Sequence, residues 1–90
     1  MQTIWKTQLR ATDVQEVELP VGAEILCARE QYETICIWYR CAPHAAEKQK
    51  RLIAICGTGH GAPDPDDGRY LGTVPLHGGT LIFHVFEKLG

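Results

Sequence analysis

Residues Thr34–Ala42, with the sequence TICIWYRCA, form the most strand-like stretch of this 90-residue chain. β-Branched and aromatic side chains dominate it, and these residue types favour extended strands. Successive side chains of a strand point to opposite faces. One face would therefore carry Ile35, Ile37, Tyr39 and Cys41, and the other Thr34, Cys36, Trp38 and Arg40.

Short apolar runs of the same kind recur on both sides of this stretch, separated by turn residues. This pattern is typical of sequential strands. The further predicted strands are Thr3–Leu9, Val14–Leu19, Ala23–Glu30, Arg51–Thr58, Arg69–Leu76 and Thr80–Leu89. The nearly continuous apolar run after Arg51 predicts a central strand covered on both faces.

The connections are predicted to be short turns and one longer polar loop. Pro20–Gly22 and Gln31–Glu33 are expected to be tight turns. Pro43–Arg51 is expected to form a polar hairpin loop with at most one helical turn. The chain is therefore predicted to be a single β domain over residues 1–90, of all-β class, a small antiparallel β-sandwich or flattened barrel of about six to seven strands.

The last predicted strand is apolar on both faces. Leu81, Phe83 and Val85 alternate with Ile82, His84 and Phe86. A single sheet with one solvated face would not need this pattern. Two packed layers or a subunit interface would explain it.

Composition excludes several classes of protein. The formal net charge is −2 and the sequence pI is about 6.0, which argues against nucleic acid as a partner. The N-terminal stretch MQTIWKTQLR lacks a long apolar run, so neither a secretion signal nor a membrane partner is expected. A reducing cytosol is the expected compartment, where the cysteines would be free thiols.

Two cysteine–histidine pairs raise the question of a zinc site. Cys41 and His44 form one pair, and Cys56 and His60 the other. If the strands around them formed a hairpin, Cys56 would lie opposite a residue near Cys36, which would keep the two pairs apart. The cysteines are then better explained as small buried hydrophobic residues, and no metal and no cofactor is predicted.

The glycine-rich and acidic segments fail the tests for phosphate and calcium sites. Gly57, Gly59 and Gly61 alternate, whereas a dinucleotide-binding turn needs G-x-G-x-x-G at the start of a helix. Asp64–Gly68 lacks the spacing of an EF-hand loop and is interpreted as an acidic turn.

Nucleophilic catalysis has no local signature in this sequence. A cysteine with His60 or His84 and with Asp64 or Glu87 could be combined into a triad, but nothing marks an activated thiolate. No catalytic residue is therefore predicted.

A binding surface remains as the second interpretation of the large aromatic residues. They either fill the core or lie at an exposed face or interface, where tyrosine and tryptophan are enriched. The set comprises Trp5, Trp38, Tyr39, Tyr70, Phe83 and Phe86. Loops carry function more often than strands do, so a ligand-binding site is predicted at Gly57, Thr58, Gly59 and His60, within reach of Trp38 or His84.

Three stretches carry a resemblance: ELPVGAEIL at Glu18–Leu26, GTGH at Gly57–His60, and YLGTVPLHGGTLIFHVFE at Tyr70–Glu87. Together they resemble a family of small proteins of unknown function encoded by bacterial viruses and prophages. The likeness covers most of the chain and departs from the pattern at Pro43–Arg51 and at the cysteines. It implies a viral accessory protein in the host cytoplasm, or a minor part of the virion.

Three functional hypotheses follow. The first is a non-enzymatic phage or prophage accessory protein that binds a host protein or a small ligand, for instance to blunt a defence system. The second is a minor virion or assembly component that works as a homo-oligomer through its aromatic face. The third, from another class, is a zinc- or thiol-dependent enzyme.

Overall fold

The computed structural model describes residues 1–89, which form seven strands. The strands are β1 (Thr3–Gln8), β2 (Val14–Pro20), β3 (Glu24–Gln31), β4 (Thr34–Cys41), β5 (Lys48–Gly57), β6 (Gly68–Leu76) and β7 (Leu81–Lys88), with a 3₁₀ turn at His77–Gly79 before β7. Each predicted strand is present, so the all-β class is confirmed. Within residues 1–89, no helix has the length and hydropathy needed to cross a membrane.

The strands form two antiparallel sheets, one with the order β1-β4-β3 and the other with the order β2-β5-β7-β6. The two sheets are not closed into a barrel, so the sandwich is the correct alternative. The alternation predicted for β4 is also confirmed, since Ile35, Ile37 and Tyr39 all lie in the core.

The predicted hairpin across Pro43–Arg51 is wrong, because β4 and β5 belong to different sheets. β4 has β3 on one edge, through the tight turn at Tyr32 and Glu33, and β1 on the other. No edge is left for β5, which pairs with β2 and β7 instead. The polar segment therefore crosses between the sheets, and its second half from Lys48 is already strand.

The core lies between the inner faces of the two sheets. Its fully buried aliphatic side chains are Leu19, Ile25, Ile35, Ile37, Ile53, Val74 and Val85. β5 is buried on both faces at Ile53, Ala54 and Ile55, as expected for a central strand. Because Val85 lies in the core, its neighbours His84 and Phe86 on β7 face outward.

On one side of the sandwich the edge strands β3 and β6 meet. A Cβ placed on Gly72 would lie 2.3 Å from the carbonyl oxygen of Ala28. Only glycine allows this approach. Both strands also carry a bulge here, at Leu26 in β3 and at Leu71 in β6, where the register with the neighbouring strand shifts. We call this the closed side.

On the opposite side, which we call the open side, β1 and β2 are the edge strands and the loop Leu9–Asp13 connects them. The buried side chain of Gln15 holds this loop. Its Oε1 accepts from the Arg10 N–H at 3.1 Å, and its Nε2 donates to the Arg10 carbonyl at 2.6 Å and to Thr12 Oγ1 at 3.0 Å. The glutamine thus takes the place of a strand partner for Arg10.

Candidate functional site

The stretch Gly57–His60 is a tight turn at the end of β5. The His60 N–H donates to the Gly57 carbonyl at 3.0 Å, and Gly59 adopts a φ of +89°, which favours glycine. A Cβ on Gly57 would lie 3.3 Å from Nδ1 of His60. These two glycines therefore serve the turn and the packing of the His60 ring against it.

A chain of four side chains joins this turn to the outer face of β6 and β7. Thr58 Oγ1 lies 2.8 Å from Nε2 of His84, and Thr73 Oγ1 lies 3.1 Å from its Nδ1. The Tyr70 hydroxyl continues the chain to Thr73 Oγ1 at 2.6 Å. Hydroxyl groups can donate or accept, so both nitrogens of His84 are satisfied whichever carries the proton.

Exposed aromatic surface lies beside this polar chain. The Tyr70 side chain is 57% exposed and meets the half-buried Phe86 ring edge-on, with ring centroids 5.6 Å apart. We call the outward surface formed by Thr58, His60, Tyr70, Thr73, His84 and Phe86 the histidine face. It belongs to the four-stranded sheet.

Two clefts flank the histidine face. The larger, of about 510 Å³, lies between the loop His60–Pro63 and the start of β2, with Val14, Cys56 and Lys88 in its wall. The smaller, of about 300 Å³, is lined by Gly57, Thr58 and the start of β7. His60 borders both clefts, so a molecule bound in either cleft would contact this side chain.

The structure brings together the predicted site residues Gly57, Thr58, Gly59, His60 and His84, but it does not place Trp38 with them. Trp38 lies on the outer face of the three-stranded sheet, paired with Lys6 and Cys27. The core separates it from the histidine face.

The residues considered for zinc are not brought together either. Cys41 points into the core, whereas Cys56 faces outward and donates to the His84 carbonyl at 3.7 Å. Within residues 1–89, no group of three or more His, Cys, Asp or Glu side chains is placed to hold a metal ion.

The carboxylates considered for a triad lie away from His84. Glu87 is buried and forms an ion pair with Arg51 on the inner side of the sheet, and Arg51 also donates to the Ala23 carbonyl at 2.8 Å. Asp64 accepts the Asp67 N–H at 2.8 Å through its own carbonyl, which confirms the acidic turn. Of the cysteines, Cys36 is fully buried, and this burial raises the pKa of its thiol.

Sequence reasoning missed Thr73 as a partner of His84, and it missed the bond from Tyr70 to Thr73. Thr73 lies opposite His84 in the register that continues from the turn between β6 and β7, and the bulge at Leu71 then places Tyr70 opposite Phe86 on the same outer face. The sequence also gave no signal for Glu33, whose carboxylate accepts the His77 N–H at 2.8 Å and so joins a turn of each sheet.

These features define a class: a two-sheet antiparallel β-sandwich with a histidine face on one sheet. Residues 1–90 match the family described as domain of unknown function DUF7352, and the chain belongs to this family. The expected membership of a family of unknown function is thus confirmed. Comparisons with curated proteins and with solved structures returned no match.

Proposed function

We propose that this protein is a non-enzymatic binding protein whose partner docks on the histidine face. The observation that carries the proposal is the hydrogen-bonded chain Thr58–His84–Thr73–Tyr70. It holds an imidazole and three hydroxyl groups in fixed positions beside an exposed tyrosine ring and between two clefts.

Such an arrangement suits recognition because the side chains are already ordered before a partner arrives. Ordering a mobile side chain on binding costs roughly 0.5–1.5 kcal/mol. Tyr70 is anchored through its hydroxyl and through Phe86, so little of that cost remains. Tyrosine is also among the residues that most often dominate binding energy at interfaces.

The surroundings of His84 favour binding over catalysis. A general base needs a ring nitrogen that can reach the proton to be removed. Both nitrogens of His84 are engaged by threonine hydroxyls, and the neighbouring carboxylate of Glu87 is paired with Arg51 on the other face of the sheet.

The proposed biological setting comes from the resemblance to proteins of bacterial viruses and prophages. In that setting the protein acts in the host cytoplasm and binds a host protein or a small ligand, for instance to blunt a defence system. A minor virion component that assembles with itself is the alternative, and the following experiment distinguishes the two.

Tagged protein is used for capture from host lysate, and the purified protein is examined by native mass spectrometry for a retained small molecule. We expect a reproducible host protein or ligand, with recovery reduced about tenfold or more in Tyr70→Ser and reduced in His60→Ala. Tyr32→Ser and His44→Ala are the matched controls, since both residues are exposed on turns away from the histidine face.

Recovery that is unchanged in both Tyr70→Ser and His60→Ala contradicts the proposed site. Recovery of the protein alone, as an ordered assembly of more than two copies, supports the virion alternative instead.

A further inference from the structure

The edges of the two sheets differ in whether they are covered. β3 and β6 cover each other on the closed side, at Gly72 and Ala28. β1 and β2 pair only with β4 and β5, respectively, so each leaves one edge of backbone N–H and C=O groups unpaired. Such an edge is a template for another strand. Both free edges lie on the open side of the sandwich.

The two free edges carry opposite charges. Lys6 lies on β1, with Arg10 just after it, whereas Glu16 and Glu18 lie on β2, with Asp13 just before it. All of these side chains are exposed. Lys6 Nζ donates to Gln31 Oε1, and Glu16 pairs with Lys50 at 3.8 Å; these are exposed contacts, which contribute little to stability and can be exchanged for contacts between copies. Opposite charges on facing strands stabilise pairing, and like charges weaken it.

The same side also exposes apolar residues. Ile4 is 56% exposed, Trp5 is 41% exposed and Val14 is 50% exposed. Trp5 meets the buried Tyr39 ring edge-on, with centroids 6.5 Å apart, so it lies at the margin of the core where the sandwich is open. A strand laid along β1 would cover it.

We propose that a second copy of this chain docks on the open side, with β1 of each copy paired to β2 of the other. A two-fold axis along the strand direction exchanges the two sheets of the sandwich. The dimer then has two continuous sheets. In each of them the three-stranded sheet of one copy is joined, through β1 and β2, to the four-stranded sheet of the other copy. This is a closed, isologous contact, the commonest kind in homo-oligomers.

Strand direction and charge agree with this arrangement. The short loop Leu9–Asp13 reverses the chain between β1 and β2, so β1 meets β2 of the second copy in the antiparallel sense. Outward residues then face outward residues, and Lys6 lies opposite Glu16 or Glu18 of the second copy. Pairing β1 with another β1 would instead bring Lys6 and Arg10 of both copies together, and pairing β2 with β2 would bring the carboxylates together.

The proposal does not rest on the proposed function, because the hydrogen-bonded chain from Thr58 to Tyr70 lies on β6, β7 and the turn after β5, away from the free edges. Only the wall of the larger cleft at Val14 adjoins the free edge of β2. Dimerisation and partner capture can therefore succeed or fail separately.

Charge-swap variants test the contact by sedimentation and native mass spectrometry over a range of protein concentrations at low salt. We expect the natural chain to form a dimer. Lys6→Glu alone and the double variant Glu16→Lys, Glu18→Lys alone should each dissociate, with Kd raised about tenfold or more. Mixing the two should restore a heterodimer, because each contact then joins opposite charges again.

Arg29→Glu is the matched control, since it makes the same charge change on the closed side of the same sheet, and it should leave the dimer intact. Far-ultraviolet circular dichroism checks that every variant is folded. A natural chain that stays monomeric, an open series of larger oligomers, or a mixture that fails to re-associate overturns the proposal.

A second readout uses Trp5 itself. In a Trp38→Phe background, Trp5 is the only tryptophan, and its emission should shift to the blue as dimers form. Emission that does not change across a concentration range in which the mass doubles would contradict the placement of Trp5 at the contact.

Discussion

The two sheets of this sandwich share one core but have different outer faces. The outer face of the three-stranded sheet carries an exposed ion pair between Arg40 and Glu24, at 3.6 Å, and the half-buried Trp38. The outer face of the four-stranded sheet carries the hydrogen-bonded chain through His84, with clefts beside it. Exposed ion pairs contribute little to stability, so the ordered polar side chains of the candidate site are concentrated on the four-stranded sheet.

The turns of the two sheets also differ, in which residue types adopt positive φ. In the turns of the four-stranded sheet most residues with positive φ are glycines, namely Gly59, Gly78 and Gly79, and His77 at 52° is the exception. The hairpin of the three-stranded sheet places Tyr32 and Glu33 at φ values of 53° and 62°. Residues with a side chain adopt this region at a cost, which the contact of Glu33 with the His77 N–H helps to offset.

The largest expected change in the free energy of unfolding comes from a substitution on the closed side, where β3 and β6 meet. Gly72→Ala would place a methyl group against the Ala28 carbonyl. The contacting atoms are all backbone, so they cannot rotate aside as a flexible side chain could. We expect a loss of about 3 kcal/mol in the free energy of unfolding, measured by urea denaturation.

Gly61→Ala is the control, because nothing lies within 4 Å of a Cβ at that position. It should be neutral or slightly stabilising. Equal stabilities for the two variants would mean that the closed side is not packed as described.

A smaller effect is expected on the open side. Gln15→Leu keeps the volume but removes the hydrogen bonds to Arg10 and Thr12. The free energy of unfolding should fall by about 1–2 kcal/mol, and hydrogen exchange of the Arg10 amide should accelerate. Gln8→Leu, the same change at an exposed position of β1, should affect neither measurement.

Relief of the strained hairpin should stabilise the three-stranded sheet by a smaller amount. Asparagine tolerates positive φ better than tyrosine does. Tyr32→Asn should therefore increase the free energy of unfolding by about 1 kcal/mol or less, and the midpoint of thermal unfolding should rise. Introducing Asn at Thr34, within β4, should lower the midpoint instead. A decrease for Tyr32→Asn would show that the tyrosine contributes more than its backbone costs.

The smallest expected effect is on the pH dependence of stability, and it comes from the thiol of Cys36 on the outer face of the three-stranded sheet. Burial raises the pKa of Cys36, so the folded protein holds this proton more tightly than the unfolded chain. Stability from this group is complete below the ordinary thiol pKa and is lost as pH rises above it. A Cys36→Ala variant should therefore lose less stability at alkaline pH than the natural chain does.

Thiol labelling offers the corresponding kinetic check. At neutral pH the half-buried Cys56 should react with an alkylating reagent before the fully buried Cys36. Peptide mapping identifies the order, and faster modification of Cys36 would contradict its burial.

The alternation of side chains within each strand could be predicted from the sequence because it depends only on neighbours along the chain. The inward positions of Ile35 and Ile37 and the outward position of His84 follow from it. The pairing of β4 with β1 rather than β5 could not, because nothing local specifies which distant strand takes a free edge.

The candidate site shows the same limit. The turn at Gly57–His60 is local, and glycine spacing pointed to it. The bond from His84 to Thr58 depends on the pairing of β5 with β7, and the position of Tyr70 beside Thr73 depends on the bulge at Leu71. The separation of Trp38 from them depends on which sheet β4 joins.

The most direct test of the difference between the two outer faces is site-specific photo-crosslinking in cells of the proposed bacterial host. A photoreactive phenylalanine analogue is placed at Tyr70 in one variant and at Trp38 in another, and adducts are identified by mass spectrometry. We expect a reproducible adduct with a molecule other than this chain from position 70 and none from position 38. Adducts from position 38 alone would contradict this expectation.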